Sequence, residues 1–261
     1  MSVLPFTRPL AAPELTETLV CGMMQLSPTG LAEQWLLRDC GDRHWRLIAQ
    51  ALGQTRAVFA DASGRAIYAA FCTTALELFP SAPLLGETVE VRSTLAAVSA
   101  ARIGSEHVIT AQGVPVARLR MISAFVAQDG SGSNKQLVRS LPAAVMSLPP
   151  AAETLMALDR RARAVRHDLR AQGSDGAVLA RLTPVPALDF NAVGLLYFPS
   201  FSRLAETARP AAGPLCRRDV VYCGNLDPGE TVEIRETGPA LTLSAGARVI
   251  GHVATLAASP G

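Results

Sequence analysis

Leu85–Arg92 reads LGETVEVR, and Pro228–Arg235 reads PGETVEIR. In both copies a glycine turn leads into alternating polar and apolar residues, a pattern that predicts a strand with one buried face. The features around the two copies also follow the same order. An apolar helical run that begins at a Gly-Leu pair precedes the strand, and a glycine turn and a final apolar strand follow it. The repeat therefore predicts that the chain contains two copies of one α+β unit.

The composition of the 261 residues narrows the class of protein. A hydrophobic content of 49% with 18% charged residues excludes a disordered chain. A net charge of +2 does not indicate the large positive surface that binds nucleic acid. No apolar run is long enough to span a membrane. Met1–Pro13 lacks a basic segment followed by an apolar one, so we expect no signal peptide and a cytoplasmic protein. The five cysteines have no Cys-x-x-Cys spacing and the four histidines are scattered, so we expect a reducing compartment and no metal site.

The repeat divides the chain into a first unit at 14–128, a linker with a helix at 129–175, and a second unit at 176–261. The periodicity predicts a helical run from Leu31, broken into two pieces near Gly41, and a second helix at Phe190–Ala208. The predicted strands are Thr16–Met24, Ile67–Thr73, Thr88–Ala96, Glu106–Gln112, Arg118–Ala127, Ala177–Thr183, Asp219–Cys223, Thr231–Thr237, Ala240–Ala245 and Arg248–Ala258.

An apolar helix followed by several antiparallel strands favours a sheet that curls around the helix, because this buries the apolar face of both elements. This is the hot-dog arrangement. Two copies in one chain predict an α+β double hot dog, in which two antiparallel sheets each wrap a central helix, as a covalent version of a two-fold dimer.

The loop before the second predicted helix contains the first candidate site. Hot-dog enzymes of the thioesterase type place a polar loop directly before the buried helix. This likeness implies that Asn191 can donate an amide hydrogen bond to a thioester oxygen and that Gly194 lets a substrate approach the backbone closely. Backbone N–H groups at a helix start point at such an oxygen as well. The alternative is that Asp189 or Asn191 only caps the helix.

Three further candidates carry titratable groups. Tyr68 can donate its phenol hydroxyl to a carbonyl or enolate oxygen, or simply pack on its strand. Glu33, on the first predicted helix, is either a general base or a hydrogen-bonded carboxylate. His107 either lines a cleft or is a hydrogen-bonded histidine at a strand edge. A basic cluster is either the solvated face of a helix or a docking patch for an acidic carrier protein or a nucleotide phosphate; it comprises Arg160, Arg161, Arg163, Arg166 and Arg170.

The chain resembles the bifunctional acyltransferase/decarboxylase family of leinamycin-type polyketide biosynthesis. The similar segments are Gly30–Leu37, Gly41–Trp45, Asp189–Asn191, Val193–Phe198 and Arg218–Val220 with Tyr222, Gly224 and Asn225. The resemblance implies a double-hot-dog fold and action on a malonyl- or methylmalonyl-type CoA thioester. The acyl group would be decarboxylated and delivered to the phosphopantetheine thiol of an acyl carrier protein. It also implies a catalytic tyrosine, which Tyr68 matches by its Arg-x-x-Tyr-Ala setting.

Decarboxylation of such a thioester leaves an enolate, which hydrogen-bond donors stabilise without a metal or an organic cofactor. Asn191, Gly194 and Tyr68 are the expected donors, and apolar walls are expected from Phe71, Phe190 and Val193. We expect Glu33 and His107 to contact substrate. The expected partners are an acyl-CoA and an acyl carrier protein, with a homodimer left open. Two alternatives remain at this point: a thioesterase, and a non-catalytic module that binds carrier protein or acyl chains.

Overall fold

The computed structural model describes residues 11–172 and 176–258. Residues 1–10, most of the segment in which we expect no signal peptide, lie outside the described residues. The described residues form helices α1 (Glu33–Ala51), α2 (Glu153–Gln172), α3 (Pro186–Asp189) and α4 (Phe198–Ala208). Their strands, β1 to β14 in chain order, are Glu14–Val20, Leu26–Ser27, Gly30–Leu31, Phe59–Ala60, Ala66–Leu78, Thr88–Ser99, Arg102–Ala111, Val114–Gln128, Leu137–Arg139, Val178–Leu182, Leu215–Tyr222, Val232–Thr237, Ala240–Ala245 and Arg248–Ala257. Each strand predicted from the sequence overlaps one of these.

Ten of these strands form one continuous antiparallel path in the order β1-β6-β7-β8-β5-β11-β14-β13-β12-β10. Strand β4 pairs with β5 and strand β9 with β8, off this path. The first five strands of the path come from the first copy of the repeat and the last five from the second. Thr73–Glu77 of β5 pairs with Arg217–Val221 of β11. The two predicted sheets are therefore joined edge to edge at this ladder.

Each half of the sheet packs on a central helix. Helix α1 contacts β1, β6 and β8 of the first half, and α4 contacts β10, β11, β13 and β14 of the second. Leu36 and Leu37 of α1 and Phe201 and Leu204 of α4 are almost fully buried, and all four belong to one apolar cluster that extends through both halves. The helices thus cover the apolar sheet face, as the sequence predicts.

The prediction that the first helix breaks near Gly41 is wrong. Helix α1 continues from Glu33 to Ala51 without interruption. A Cβ atom at Gly41 would lie 2.9 Å from Cζ of Phe198, the first residue of α4. The glycine therefore permits the close approach of α4 and does not end α1.

The second helix also begins later than predicted, at Phe198 instead of Phe190. Pro199 stands in its first turn, where a missing N–H removes no helical hydrogen bond. Phe190–Tyr197 forms a loop between α3 and α4, and the hydrogen bonds that hold this loop are described below.

The linker helix α2 lies across the face of the sheet opposite to the central helices. Ala75 packs in a cluster with Leu155 and Leu158 of α2, whereas the next residue, Leu76, belongs to the cluster of the central helices. Consecutive residues of a strand face opposite sides, so α2 and the central helices cover different faces. Among the described residues, no helix combines the length and apolarity that crossing a bilayer requires.

Candidate functional site

A cleft opens where strands β5 and β11 part. Strand β8 accompanies β5 along Tyr68–Leu78, but β11 pairs with β5 only along Thr73–Glu77. Tyr68–Phe71 lies beyond the end of that ladder. The resulting space is about 1230 Å³ and is bounded by α1, β5, the end of α2, the loop Phe190–Tyr197 and the residues that follow β11. Both copies of the repeat therefore contribute to one site.

The structure brings most of the predicted site residues to this cleft. Tyr68, Phe71, Phe190, Asn191 and Val193 all line it. The Tyr68 side chain is half-buried, and its hydroxyl forms no hydrogen bond with a described residue. The phenol is therefore available to a ligand in the cleft.

Asn191 is oriented by the loop to which it belongs. Its Oδ1 accepts hydrogen bonds from the N–H groups of Val193 (3.2 Å) and Leu195 (3.0 Å). These two bonds fix which end of the amide is oxygen, because only the oxygen accepts. The Nδ2 group has no protein partner among the described residues, and Asn191 lines the cleft. One side chain thus closes the turn with its oxygen and offers its NH₂ group as a donor.

The Gly194 N–H does not serve as the donor expected from the sequence. It donates to the Asn191 carbonyl at 2.9 Å, and the positive φ of 78° at Gly194 lets the chain close this turn. Within Asn191–Tyr197, the backbone N–H of Ala192 is the one for which the described residues supply no acceptor. Ala192 is exposed and lines the cleft, so its N–H replaces that of Gly194 as a candidate donor.

Side chains from elsewhere in the fold hold the loop. Oδ1 of Asn225 accepts from the Leu196 N–H at 2.9 Å, and its Nδ2 donates to the Leu196 carbonyl at 3.2 Å. Nδ2 of Asn134, in the linker, donates to the Gly194 carbonyl at 2.6 Å. Because separate segments fix neighbouring peptide groups, the loop presents Asn191 in one orientation, as a preorganised donor requires.

Asp189 is structural. Its buried carboxylate accepts from Nε (2.8 Å) and Nη2 (2.6 Å) of Arg203 and from the Val185 N–H (2.8 Å). Its carbonyl accepts from the Tyr197 N–H at 2.7 Å. The side chain stabilises the segment before α4 and is not among the residues that line the cleft.

The prediction that His107 contacts substrate is wrong. The side chain is fully buried, with Nδ1 2.8 Å from the Ser93 hydroxyl and Nε2 2.8 Å from the Ser105 hydroxyl. Both ring nitrogens are therefore engaged in the core. Burial lowers the pKa of His107 well below its ordinary value, which keeps the ring neutral.

Glu33 likewise lies outside the cleft. It lines a separate cavity of about 300 Å³ together with Glu206 and Arg218. The Arg218 side chain is almost fully buried, its Nε lies 3.4 Å from Glu33 Oε1, and its Nη2 donates to Glu206. Burial raises the pKa of Glu33, although Arg218 opposes this shift. Glu33 is thus part of an ion-pair cluster.

Asp42 is a candidate that the sequence reasoning missed. Among the described residues, it is the only Asp or Glu that lines the cleft, and it lies on the central helix α1. Burial, with a smaller effect of Asp39, raises the pKa of its carboxyl group. Arg38 and Trp45 also line the cleft and stand four residues before and three after Asp42 in the helix. This spacing places the three side chains on one face of a continuous helix, so the sequence alone could have indicated that they lie together.

Aromatic rings form the inner wall of the cleft. Phe71 lies 4.4 Å from Phe198 between ring centroids, and Phe201 lies 5.1 Å from Tyr222. The Tyr222 hydroxyl hydrogen-bonds the Thr74 hydroxyl at 3.0 Å, so it is already partnered. Burial raises the pKa of Tyr222 and, to about 12, that of Tyr197. The inner wall is therefore apolar and uncharged.

The described residues contain no group of three or more histidine, cysteine, aspartate or glutamate side chains placed to hold a metal ion. The groups that the cleft presents are hydrogen-bond donors at Tyr68, Asn191 and Ala192, one carboxylate at Asp42, and several cationic side chains at its mouth. Such a set can stabilise negative charge that develops on a bound carbonyl oxygen.

No protein-family model and no curated protein matches the sequence. Two solved structures are similar to the fold: an acyl-ACP thioesterase from Bacteroides thetaiotaomicron VPI-5482, with a TM-score of 0.64, and a 12:0-ACP thioesterase from Umbellularia californica, with a TM-score of 0.62. Each is 11% identical to this chain, and each alignment covers 94% of this chain and 97% of the other. The likeness includes both halves of the repeat and confirms the double-hot-dog fold.

Proposed function

We propose that the protein is an enzyme that acts on acyl thioesters in the cleft between its two halves. More specifically, it decarboxylates a malonyl- or methylmalonyl-type CoA thioester and transfers the acyl group to an acyl carrier protein. The observation that carries this proposal is the position of two unpartnered donors, the Tyr68 hydroxyl and Asn191 Nδ2, in one cleft with an apolar inner wall.

The chemistry of decarboxylation requires these features. When the bond between the carboxylate carbon and the α-carbon breaks, its electron pair moves towards the thioester carbonyl and leaves an enolate oxygen. Donors fixed in advance at that oxygen lower the barrier. The released CO₂ is neutral, so an apolar wall beside the carboxylate, such as that formed by Phe71 and Phe190, favours its departure. The α-carbon then takes up a proton.

Transfer follows at the same carbonyl. The phosphopantetheine thiol of the carrier protein attacks the carbonyl carbon, a new C–S bond forms, and the bond to the CoA sulfur breaks. The negative charge again develops on the carbonyl oxygen, so Asn191 and Tyr68 serve both steps. The names of the two similar structures, both thioesterases of acyl-ACP, support the class of substrate.

A thioesterase is the second candidate, and Asp42 favours it. Hydrolysis needs a base that activates water, and Asp42 is a carboxylate with a raised pKa in the same cleft. Decarboxylation and transfer to a thiol do not need water. The Asp42→Asn variant therefore separates the candidates: it abolishes hydrolysis if Asp42 is the base, and it leaves decarboxylation in place.

The experiment is to incubate the protein with malonyl-CoA, methylmalonyl-CoA and a saturated acyl-CoA, with and without a carrier protein, and to identify the products by mass spectrometry. We expect a decarboxylated acyl group on the carrier. Free acid without an acylated carrier would establish the thioesterase. Thioesters unchanged under all conditions would overturn both, and carrier binding without turnover would establish a non-catalytic module.

Two variants of Asn191 separate its donor from its role in the turn. Asn191→Asp keeps the Oδ1 acceptor for Val193 and Leu195 and removes the NH₂ donor, whereas Asn191→Ala removes both. We expect both variants to lose about 10²-fold or more in turnover, but only the alanine variant to lose stability. Tyr68→Phe is expected to lower turnover with an unchanged circular dichroism spectrum. Near-normal turnover of Asn191→Asp would show that the side chain only closes the turn.

A further inference from the structure

The mouth of the cleft carries an excess of positive charge. Six cationic side chains line the cleft, against the single carboxylate of Asp42 among the described residues. The six are Arg38, Lys135, Arg139, Arg166, Arg170 and Arg248. The whole chain has a net charge of only +2, so this concentration does not follow from the overall composition.

Three of these six side chains have protein partners. Lys135 lies 3.3 Å from Asp227 and 2.9 Å from Glu230, and Arg248 donates to the Asn225 carbonyl at 3.0 Å. Nη2 of Arg166 donates to the carbonyls of Cys72 (2.7 Å) and Tyr222 (2.6 Å), at the point where β5 and β11 part. These three side chains stabilise the walls of the cleft.

The other three, Arg38, Arg139 and Arg170, form no ion pair with a described residue, and all three are exposed. They come from α1, β9 and α2, so they do not share the solvated face of one helix. In the sheet, Arg139 lies opposite Val126, and Val126 lies opposite Tyr68. Two strand spacings, about 10 Å, therefore separate Arg139 from Tyr68, which puts its charge at the mouth and not at the reacting carbonyl.

The arginines of α2 divide into two groups. Arg160 pairs with Glu153, Arg161 lies 3.8 Å from Asp219, and Arg163 lies 2.7 Å from Asp159. None of these three lines the cleft, whereas Arg166 and Arg170, later in the helix, do. In the basic cluster noted in the sequence, three arginines thus pair with carboxylates outside the cleft, and two line the cleft.

We propose that Arg139 and Arg170, with Arg38, bind the phosphate of a 4′-phosphopantetheine arm whose thioester lies at Tyr68 and Asn191. This inference rests on the proposed function. Guanidinium groups recognise phosphate through paired N–H donors, and an unneutralised cationic mouth attracts an anionic arm into the cleft. Coenzyme A and a carrier protein both present this phosphate, so the site fits either source.

The test compares binding of 4′-phosphopantetheine with binding of pantetheine, which lacks the phosphate. We expect the wild-type protein to bind the phosphorylated compound at least tenfold more tightly, and this difference to decrease as salt is added. The variant Arg139→Gln/Arg170→Gln is expected to lose the preference. The matched control, Arg160→Gln/Arg161→Gln, removes the same charge outside the cleft and is expected to retain it.

Equal binding of the two compounds by the wild type would overturn the proposal, as would an equal loss in the control variant. Coenzyme A and a phosphopantetheinylated carrier protein, tested as separate arms, show which source binds more tightly. Turnover is measured independently. If the phosphate preference is present but no thioester reacts, the proposed function fails and the phosphate site stands. If thioesters of pantetheine react as efficiently as phosphorylated ones, the phosphate site fails and the function stands.

Discussion

The two buried histidines should make the protein sensitive to mild acid. His44 and His107 belong to a chain of hydrogen bonds that runs from Ser123 through His44, Ser105 and His107 to Ser93, with distances of 2.7–2.8 Å. All five side chains are fully buried. Burial lowers the pKa of His44 from 6.5 to about 3 and that of His107 well below its ordinary value, so both rings remain neutral in the folded state.

The sign and size of the effect follow from the difference in bound protons. Below about pH 6.5 each histidine of the unfolded chain takes up a proton that the folded chain does not bind, so stability falls as the pH falls from about 6.5 towards 3. For His44, the loss between pH 6 and pH 4 is about 2.5 kcal/mol. The loss at His44 alone is a sizeable part of the stability of a typical domain, about 5–15 kcal/mol, and the lowered pKa of His107 acts in the same direction.

The assay is denaturant unfolding at a series of pH values, for the wild type and for the variants His44→Gln and His107→Gln. Glutamine can hydrogen-bond in the core but does not titrate in this range. We expect each variant to be less stable at pH 7, and its unfolding free energy to depend less steeply on pH. For His44→Gln the decrease in slope is about 1.3 kcal/mol per pH unit between pH 4 and pH 6.

The control is His167→Gln, which replaces a histidine that is 83% exposed and shows how far the slope changes when a histidine outside the core is lost. Comparing slopes removes the contribution of carboxylates, which the variants share with the wild type. If both core variants keep the wild-type slope, the buried rings do not titrate as the structure implies, and the reasoning is refuted.

Three further substitutions test the packing of α4, the ion-pair cluster at Arg218 and the hydrogen bonds that hold the loop before α4. Gly251→Ala places a Cβ atom 2.6 Å from Cδ1 of Phe201, so chemical denaturation should show a loss of about 1–3 kcal/mol; an unchanged midpoint would mean that the ring moves freely. Arg218→Met leaves its two carboxylate partners without a buried cation and should cost about 3 kcal/mol at pH 7, with part of the loss recovered at lower pH as Glu33 takes up a proton. Asn225→Ala removes the acceptor of the Leu196 N–H. We expect turnover to fall while the denaturation midpoint changes little; a large fall in both would show that Asn225 only stabilises the loop before α4.

The repeat was sufficient to predict the strands and their double arrangement, because alternation and glycine turns are local properties of the sequence. The helix boundaries depended on contacts between distant residues. Judged from its sequence neighbours alone, Gly41 indicates a helix break. The reason for a glycine there is the ring of Phe198, which is distant in sequence and packs against it. Phe190–Tyr197 has helical periodicity, but hydrogen bonds from Asn225 and Asn134 hold it as a loop.

The site could be predicted in part for the same reason. Asn191 was identified by its position in the loop and Tyr68 by the resemblance to a family with a catalytic tyrosine, and the structure places both in the cleft. His107 was misassigned because one of its partners, Ser93, lies on the neighbouring strand β6, and sequence spacing does not reveal strand pairing. Asp42 was passed over because the break expected at Gly41 hid the continuous helix face on which it stands.

The junction between the halves has an approximate two-fold symmetry. The ladder of β5 and β11 is centred on Ala75 and Asp219. A two-fold axis there relates Thr74 to Arg218 and Leu78 to Tyr222. It also relates the cleft, lined by Tyr222 and the loop before α4, to the small cavity lined by Leu78 and the segment before α1. A duplicated sequence therefore provides two equivalent seams, yet one is about 1230 Å³ and the other about 300 Å³.

The residues at the related positions differ between the two seams. Thr74 is short, its hydroxyl hydrogen-bonds that of Tyr222 at 3.0 Å, and it is not among the residues that line the first seam. At the related position Arg218 extends into the second seam, where it pairs with Glu33 and Glu206. The buried guanidinium and its two carboxylate partners occupy part of this seam, and a smaller cavity remains. The two copies thus differ at this position: the first seam is a cleft lined by both halves, and the second holds a buried ion-pair cluster.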